Sequence, residues 1–223
     1  MLKNRANREN AETINRALNL EFLECRVLLS AATQIVALPQ LKITPQASGS
    51  SVQGYTPQEI SAAYGFNQIN FNGVTGDGNG QTIAIVDAFN DPNIAGDLST
   101  FDKQFDLPSA SLTKVSQTGS TTALPTTDAG WATEISLDVE WAHAIAPDAN
   151  ILLVETKSDS LTDLLAGVNY ARNAAGVSVV SLSWGSSEFF QESRYDSDFT
   201  TPAGHQGVTF VAASGDEGSW SGP

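Results

Sequence analysis

Four short apolar runs separated by segments of helical spacing set the tightest limit on what this chain can fold into. Gln81 to Val86, Ile151 to Glu155, Val177 to Leu182 and Val208 to Ala213 are nearly continuous in Val, Ile, Leu and Ala. Such runs read as strands, and Gln81 to Val86 as one that is buried. Between them recur helical patterns, with Ile94, Leu98, Phe101 and Phe105 in the first. Ile135, Leu137, Val139, Trp141, Ala142 and Ile145 form the second, stopped by Pro147, and Leu161, Leu164, Leu165 and Val168 the third. Strands alternating with helices predict an α/β domain with a mostly parallel sheet and right-handed crossovers.

Local signals mark the element ends. Thr56, Pro57 and Glu59 form a capping box that opens a short helix ending near Tyr64 and Gly65. Ser160 with Asp163 predicts a second box, on a helix closed by Gly176. The run Gly76 to Gly80 precedes a strand and lacks a calcium-loop glutamate, so it reads as a turn. Residues 108–130 read as an exposed loop or irregular strands, and a further helix is expected between Gly185 and Val208.

Charge removes whole classes of partner. The chain of 223 residues carries 11 basic against 25 acidic side chains, for a net charge of -14. Lys3, Arg5, Arg8, Arg16 and Arg26 fall in the first 26 positions, so the remainder has few cations to neutralise phosphates, and nucleic acid is not an expected partner. No run approaches the roughly 18 to 20 apolar residues of a membrane span. Cys25 is the single cysteine, which rules out an intrachain disulfide.

Residues 1–32 pass from basic to apolar (Val27, Leu28, Leu29) to small (Ser30, Ala31, Ala32), in the order of an export signal with a short core. The pattern from Leu23 to Ala31 resembles an atypical export leader, which places the expected product outside the cell or at its surface. Residues 33–54, rich in Gln, Ser, Pro and Gly, read as a linker, and the domain proper is expected over 55–223.

Glu134 and Asp138 lie four residues apart in the helical stretch Gly130 to Pro147, which stacks two carboxylates on one face. A pair of this kind is commonly a solvated face. Here it stands among alanines and two tryptophans, with no Lys or Arg between Lys114 and Lys157, so nothing close in sequence neutralises it. Asp87 ends the strand Gln81 to Val86, at the edge of a parallel sheet where site residues gather.

Taken together in order, several motifs resemble the sedolisins, serine-carboxyl peptidases with a subtilisin-like fold. They are Tyr55-Thr-Pro-x-x-Ile, Ala63-Tyr64-Gly65-Phe66, Ile83-Ala-Ile-Val, Glu134-x-x-x-Asp138, Ala146-Pro147, Ser181-x-Ser-Trp184-Gly185 and Ala213-Ser-Gly-Asp216-x-Gly218. The resemblance implies a three-layer α/β fold and an acid-active serine-type endopeptidase acting on polypeptides as a monomer. It further implies Glu134 as general base, Asp138 as the carboxylate that orients it, and Asp216 as the acid completing an oxyanion hole. Asp87 falls where some members extend the carboxyl network and Trp184 at that network's tryptophan, while the backbone of Ser183, Trp184 and Gly185 matches the strand that pairs with extended substrate. Calcium is implied for a complete family domain, with its ligands outside this chain.

The residue types suit such chemistry. A carboxylate can replace histidine as base for a hydroxyl nucleophile if a second carboxyl fixes its position and shares its proton. An aspartic acid aids an oxyanion only while protonated. The family's nucleophile lies in a Gly-Thr-Ser segment after the Ser-Gly-Asp motif; Gly119-Ser120-Thr121 has the wrong order and precedes the carboxylate helix. The expectation is therefore a truncated domain, about half a complete one, inactive alone and prone to aggregate through the uncovered strand Val208 to Ala213. The alternative expectation is an inactive, exported peptide-binding domain or gene remnant. His143 and His205 lack the sequence context of a histidine triad and read as surface or hydrogen-bonded residues.

Overall fold

The structure is a computed structural model and describes residues 35–39 and 54–215. The expected export leader, Cys25, residues 40–53 and Asp216 lie outside the described residues. In chain order the elements are β1 (Leu38–Pro39), α1 (Pro57–Tyr64), β2 (Asn70–Phe71), β3 (Val74–Thr75), β4 (Thr82–Ala88), α2 (Ile94–Phe105) and β5 (Ser111–Ser116). Then follow α3 (Ala129–Ile145), β6 (Asn150–Thr156), α4 (Leu161–Asn173), β7 (Val177–Leu182), β8 (Trp184–Gly185) and β9 (Thr209–Ala212).

Five strands make one parallel sheet in the order β5-β6-β4-β7-β9. Three of the four apolar runs fill its centre as β6, β4 and β7, because a central parallel strand must bury both of its faces, while the fourth forms β9 at one edge. α2 and α3 share one face, packing Ile94, Leu98, Ile135 and Val139 onto Ile85, Ile151 and Leu153. α4 covers the other, packing Leu164, Val168 and Ala171 onto Ala84, Val86 and Val154. This is the expected α/β arrangement with helices on both faces of a mostly parallel sheet.

The crossovers differ from expectation in one respect. The chain steps from β4 outward to β5, returns inward to β6, and continues in that returning direction over β4 to β7. A connection that keeps its hand must change face when it changes direction. α4 does so relative to α2, but α3 stays on the face of α2. The β5–α3–β6 crossover therefore has the opposite hand to the other two, and the three cannot all be right-handed. The irregular stretch 117–128 delivers α3 to that face, where Asp128 caps it by accepting from the N–H groups of Gly130 and Trp131.

Other expectations are refined. The Thr56 box is complete, with Glu59 Oε2 accepting from Thr56 N at 2.8 Å and Gly65 closing α1 at φ 73°. The Ser160 box is half formed: Ser160 Oγ accepts from Asp163 N, but the Asp163 carboxylate turns to Gln117 Nε2 and Ser158 Oγ. Residues 111–116, within the stretch expected as exposed loop or irregular strands, form the regular edge strand β5. The helix expected after Gly185 is a 3₁₀ stretch, Glu192–Phe199, whose Ser- and Asp-rich sequence has no apolar stripe to support an α-helix. Of the expected linker, Ile35–Pro39 is ordered strand and bridge; Ala37 is buried. Among the described residues β9 has a neighbour on one side only, and Val211 on it is 52% exposed.

α4 can lie close to the sheet because position 167 is glycine. A Cβ there would stand 2.5 Å from Thr156 Cγ2 and 2.8 Å from Val86 Cγ1, atoms of two central strands. Alanine would gain about 1 kcal/mol of helix propensity, yet overpacking costs about 1–3 kcal/mol. Gly167→Ala is expected to destabilise the chain by about 1 kcal/mol, seen as a lower urea midpoint; an unchanged or higher midpoint would show that α4 has room to shift.

Candidate active site

The predicted site residues converge at the carboxyl end of the sheet, on its α2 and α3 side. β4 alternates Ile83, Ile85 and Asp87 toward that side, so the strand that builds the core also delivers a carboxyl group to its rim. Asp87 is fully buried, and neither of its oxygens has a hydrogen-bond partner. Glu134 is 2% exposed, one helical turn from Asp138 on α3. Burial raises the pKa of Asp87 well above the usual carboxylate range, and the nearby carboxyls of Asp138, Glu134 and Glu155 raise it further. An uncompensated buried charge would cost several kcal/mol, which favours the protonated form of Asp87.

Asp138 is pushed up to about 6 by desolvation, opposed by the hydroxyl of Ser183. Ser183 Oγ donates to Asp138 Oδ1 at 2.8 Å, tying the end of β7 to α3. Trp184 is buried, and its indole N–H donates to the Val86 carbonyl at 2.8 Å. That bond anchors β8 one residue away from Asp87. Asp87, Glu134, Asp138 and Ser183 are thus brought together, with Trp184 and Gly185 running on from them, while Asp216 lies outside the described residues.

The sequence reading missed a second layer. Glu155 is register partner of Asp87 on the adjacent strand and is fully buried. Desolvation drives its pKa up to about 7 against the opposing Asp91 N–H and Lys114. Its Oε1 accepts from Asp91 N at 2.9 Å and lies 3.6 Å from Lys114 Nζ. Lys114 also donates to Asn90 Oδ1 and the Asp91 carbonyl, and Ser136 Oγ donates to Asp91 Oδ2. Phe89, at φ 63°, turns the chain out of β4 in the left-handed region, a costly conformation for a bulky residue that recurs beside functional sites. The available signal was position: Glu155 ends its strand at the same edge as Asp87.

His143 is completely buried, contrary to the surface alternative, with Nε2 at 2.8 Å from the Pro108 carbonyl and 3.3 Å from Asp102 Oδ1. His205 is bound by the Gln206 and Ala174 carbonyls. Among the described residues no group of three or more His, Cys, Asp or Glu side chains is arranged to hold a metal ion, and no helix is long and apolar enough to cross a membrane.

The fold and the site together define a parallel α/β domain with buried carboxyls of raised pKa at the carboxyl edge of its sheet. Residues 78–223 match the subtilase family, and the chain belongs to that family. Kumamolisin of Bacillus sp. (strain MN-32) is 29% identical over 211 residues, an alignment covering 85% of this chain and 35% of kumamolisin. The chain thus spans about a third of that relative's length. The solved structure of Pseudomonas sedolisin, a serine-carboxyl proteinase complexed with pseudo-iodotyrostatin, is similar with a TM-score of 0.47 and 20% identity over 67% of this chain and 39% of that one. The subtilisin-like relationship implied by the motifs agrees with the subtilase match.

The raised carboxyls fix a pH dependence. Asp138 has a folded pKa of about 6 against an ordinary 3.8, and Glu140 is likewise raised by burial to about 7. A raised folded pKa means that the native state binds more protons, so stability is fullest below the unfolded pKa and falls as pH rises through the folded one. Urea midpoints are expected to drop between pH 4 and 7.5, and Asp138→Asn to remove on the order of 2 kcal/mol of that drop. An equally steep profile in the variant would show that Asp138 is not a source of it.

Proposed function

We propose that this chain carries the acid–base half of an exported, acid-active serine-type endopeptidase. The observation that carries the reading is the buried carboxyl set Asp87, Glu134 and Asp138 beside the Ser183 hydroxyl and the β8 strand. Glu134 takes the proton of a serine hydroxyl and returns it to the leaving amine. Asp138, held by Ser183, orients Glu134 and shares its proton, and Asp87 stores a further proton behind the pair. Asp216 stabilises the oxyanion as a neutral donor, and the backbone of Ser183, Trp184 and Gly185 pairs with the extended polypeptide substrate. Each role needs at least one carboxyl protonated, which sets an acidic working range.

The nucleophile is a serine outside residues 1–223, because no Gly-Thr-Ser segment follows Asp216. In the same reading the calcium ligands of the complete domain lie outside residues 1–223. Monomeric behaviour and export through the leader at residues 1–32 belong to the same reading.

Sequencing the transcript across the Pro223 codon tests it directly: an in-frame continuation into a Gly-Thr-Ser segment is expected. In that longer polypeptide Glu134→Gln should lower kcat for an unstructured protein substrate at acidic pH by about a thousandfold. Residues 1–223 alone should bind peptide without cleaving it. Hydrolysis by the isolated chain that Glu134→Gln abolishes would refute the external nucleophile, and a stop codon would favour an inactive peptide-binding domain.

A further inference from the structure

α3 rests on the sheet through Ile135 and Val139, both fully buried within the cluster that holds Ile85 and Leu153. At about 100° per residue, that apolar stripe leaves Glu134 and Asp138 on one flank of the helix and Ser136 on the other. Each flank carries a side-chain bond to a segment at the carboxyl edge of the sheet. Ser183 Oγ, just after β7, donates to Asp138 Oδ1 at 2.8 Å. On the opposite flank Ser136 Oγ donates to Asp91 Oδ2 at 3.2 Å.

Asp91 is itself held from several directions. It is buried in the turn that leaves β4, four residues after Asp87. Its N–H donates to Glu155 Oε1 of β6 at 2.9 Å, and its carbonyl accepts from Lys114 Nζ of β5 at 2.6 Å. Its other carboxyl oxygen, Oδ1, accepts from Asn93 N at 2.8 Å, just before α2. Pro92 disfavours helical backbone at Asp91 and so stiffens the turn. Asn90 N, beside it, donates to the Thr126 carbonyl in the stretch that delivers α3. The residue that grips Ser136 is thus fastened to two neighbouring strands and a helix entry.

Apolar packing is non-directional, so a helix resting on an apolar stripe keeps freedom to roll about its axis. Hydrogen bonds weaken steeply when misaligned, and two on opposite flanks remove that freedom. Resting on the reading of Glu134 and Asp138 as the acid–base pair, we propose that Asp91 is a positioning residue for that pair. Its bond to Ser136 opposes the Ser183–Asp138 bond across α3, fixes the roll of the helix, and so sets how deeply Asp138 is buried beside Asp87. Glu155 and Lys114 act one step further back, by holding Asp91. Displacement of a reacting group by about 1 Å can cost about a hundredfold in rate, which gives a bond on the far flank of α3 a catalytic consequence.

The test follows the Asp138 carboxyl by carbon-13 NMR titration in the full 223-residue chain. The ionisable groups around it are Asp87 on β4, Glu134 one turn away on α3, and Glu155 on β6 with its partner Lys114. In the unaltered chain the Asp138 midpoint should lie at about 6. Ser136→Ala removes the hydroxyl and leaves a better helix former. Freed on that flank, α3 should roll Asp138 toward water while Ser183 stays bonded to it, and the midpoint should fall by at least about half a pH unit as desolvation is relieved. Ser136→Thr, which keeps a hydroxyl, should restore the original midpoint. An unchanged Asp138 titration in Ser136→Ala, whatever its urea midpoint, would make the bond merely structural and overturn the proposal with the acid–base reading intact. A Ser136→Thr chain that titrates like Ser136→Ala would do the same. An Asp138 midpoint near the ordinary 3.8 in the unaltered chain would remove the buried pair itself, and both readings with it.

Discussion

Desolvation of carboxyl groups at the end of β4 is the constraint on which the site depends. Asp87 is carried into the interior by the alternation of the strand that forms the middle of the core, and α3 lies across it bearing Glu134 and Asp138. Burial raises the proton affinity of Asp87 and Asp138, and at Asp87 the neighbouring carboxyls add to the effect. The same arrangement makes the site costly to keep at neutral pH, since ionising any one member places a charge among apolar neighbours. Fold stability and the protonation of these carboxyls are thus bound together by one physical cause.

The departure from uniform crossover hand serves this arrangement. With α3 on the opposite face, beside α4, its carboxyls would lie across the sheet from Asp87. Keeping α3 beside α2 sets Glu134 over the end of β4 and lets Ser183, arriving on β7, reach Asp138. The second layer, Glu155 with Asp91 and Lys114, holds the β4 exit turn at Phe89 and adds a partly compensated carboxyl behind Asp87. β8 begins one residue after Ser183, so the Ile35–Pro39 segment paired with it lies close to the Asp138 carboxyl.

Much of this was legible in the residues. The buried strands were plain from continuous Val and Ile runs, and Thr56, Pro57 and Glu59 announced α1 through chemistry confined to four residues. The i, i+4 spacing of Glu134 and Asp138 placed them on one face, and the order of motifs pointed to the family that residues 78–223 match. Less legible were features that depend on distant partners. β5 was hidden because its Ser, Leu, Thr, Lys, Val and Ser sequence belongs to an edge strand with little apolar signal. Asp163 looked like a capping-box acid until Gln117, brought close by the fold, offered its carboxylate a better bond. Glu155 looked like an ordinary strand end.

The sequence by itself determined the alternation of strands and helices, the helix caps made by neighbouring residues, and which carboxylates share a helical face, because all of these follow from interactions over a few residues. Only the tertiary structure decided that Asp87, Glu134, Asp138 and Glu155 desolvate one another, that α3 crosses with the opposite hand, and that a segment of linker composition is a strand on β8. Those outcomes depend on which surfaces meet across the sheet, and local sequence carries no record of the dielectric or the partner that a distant segment will supply.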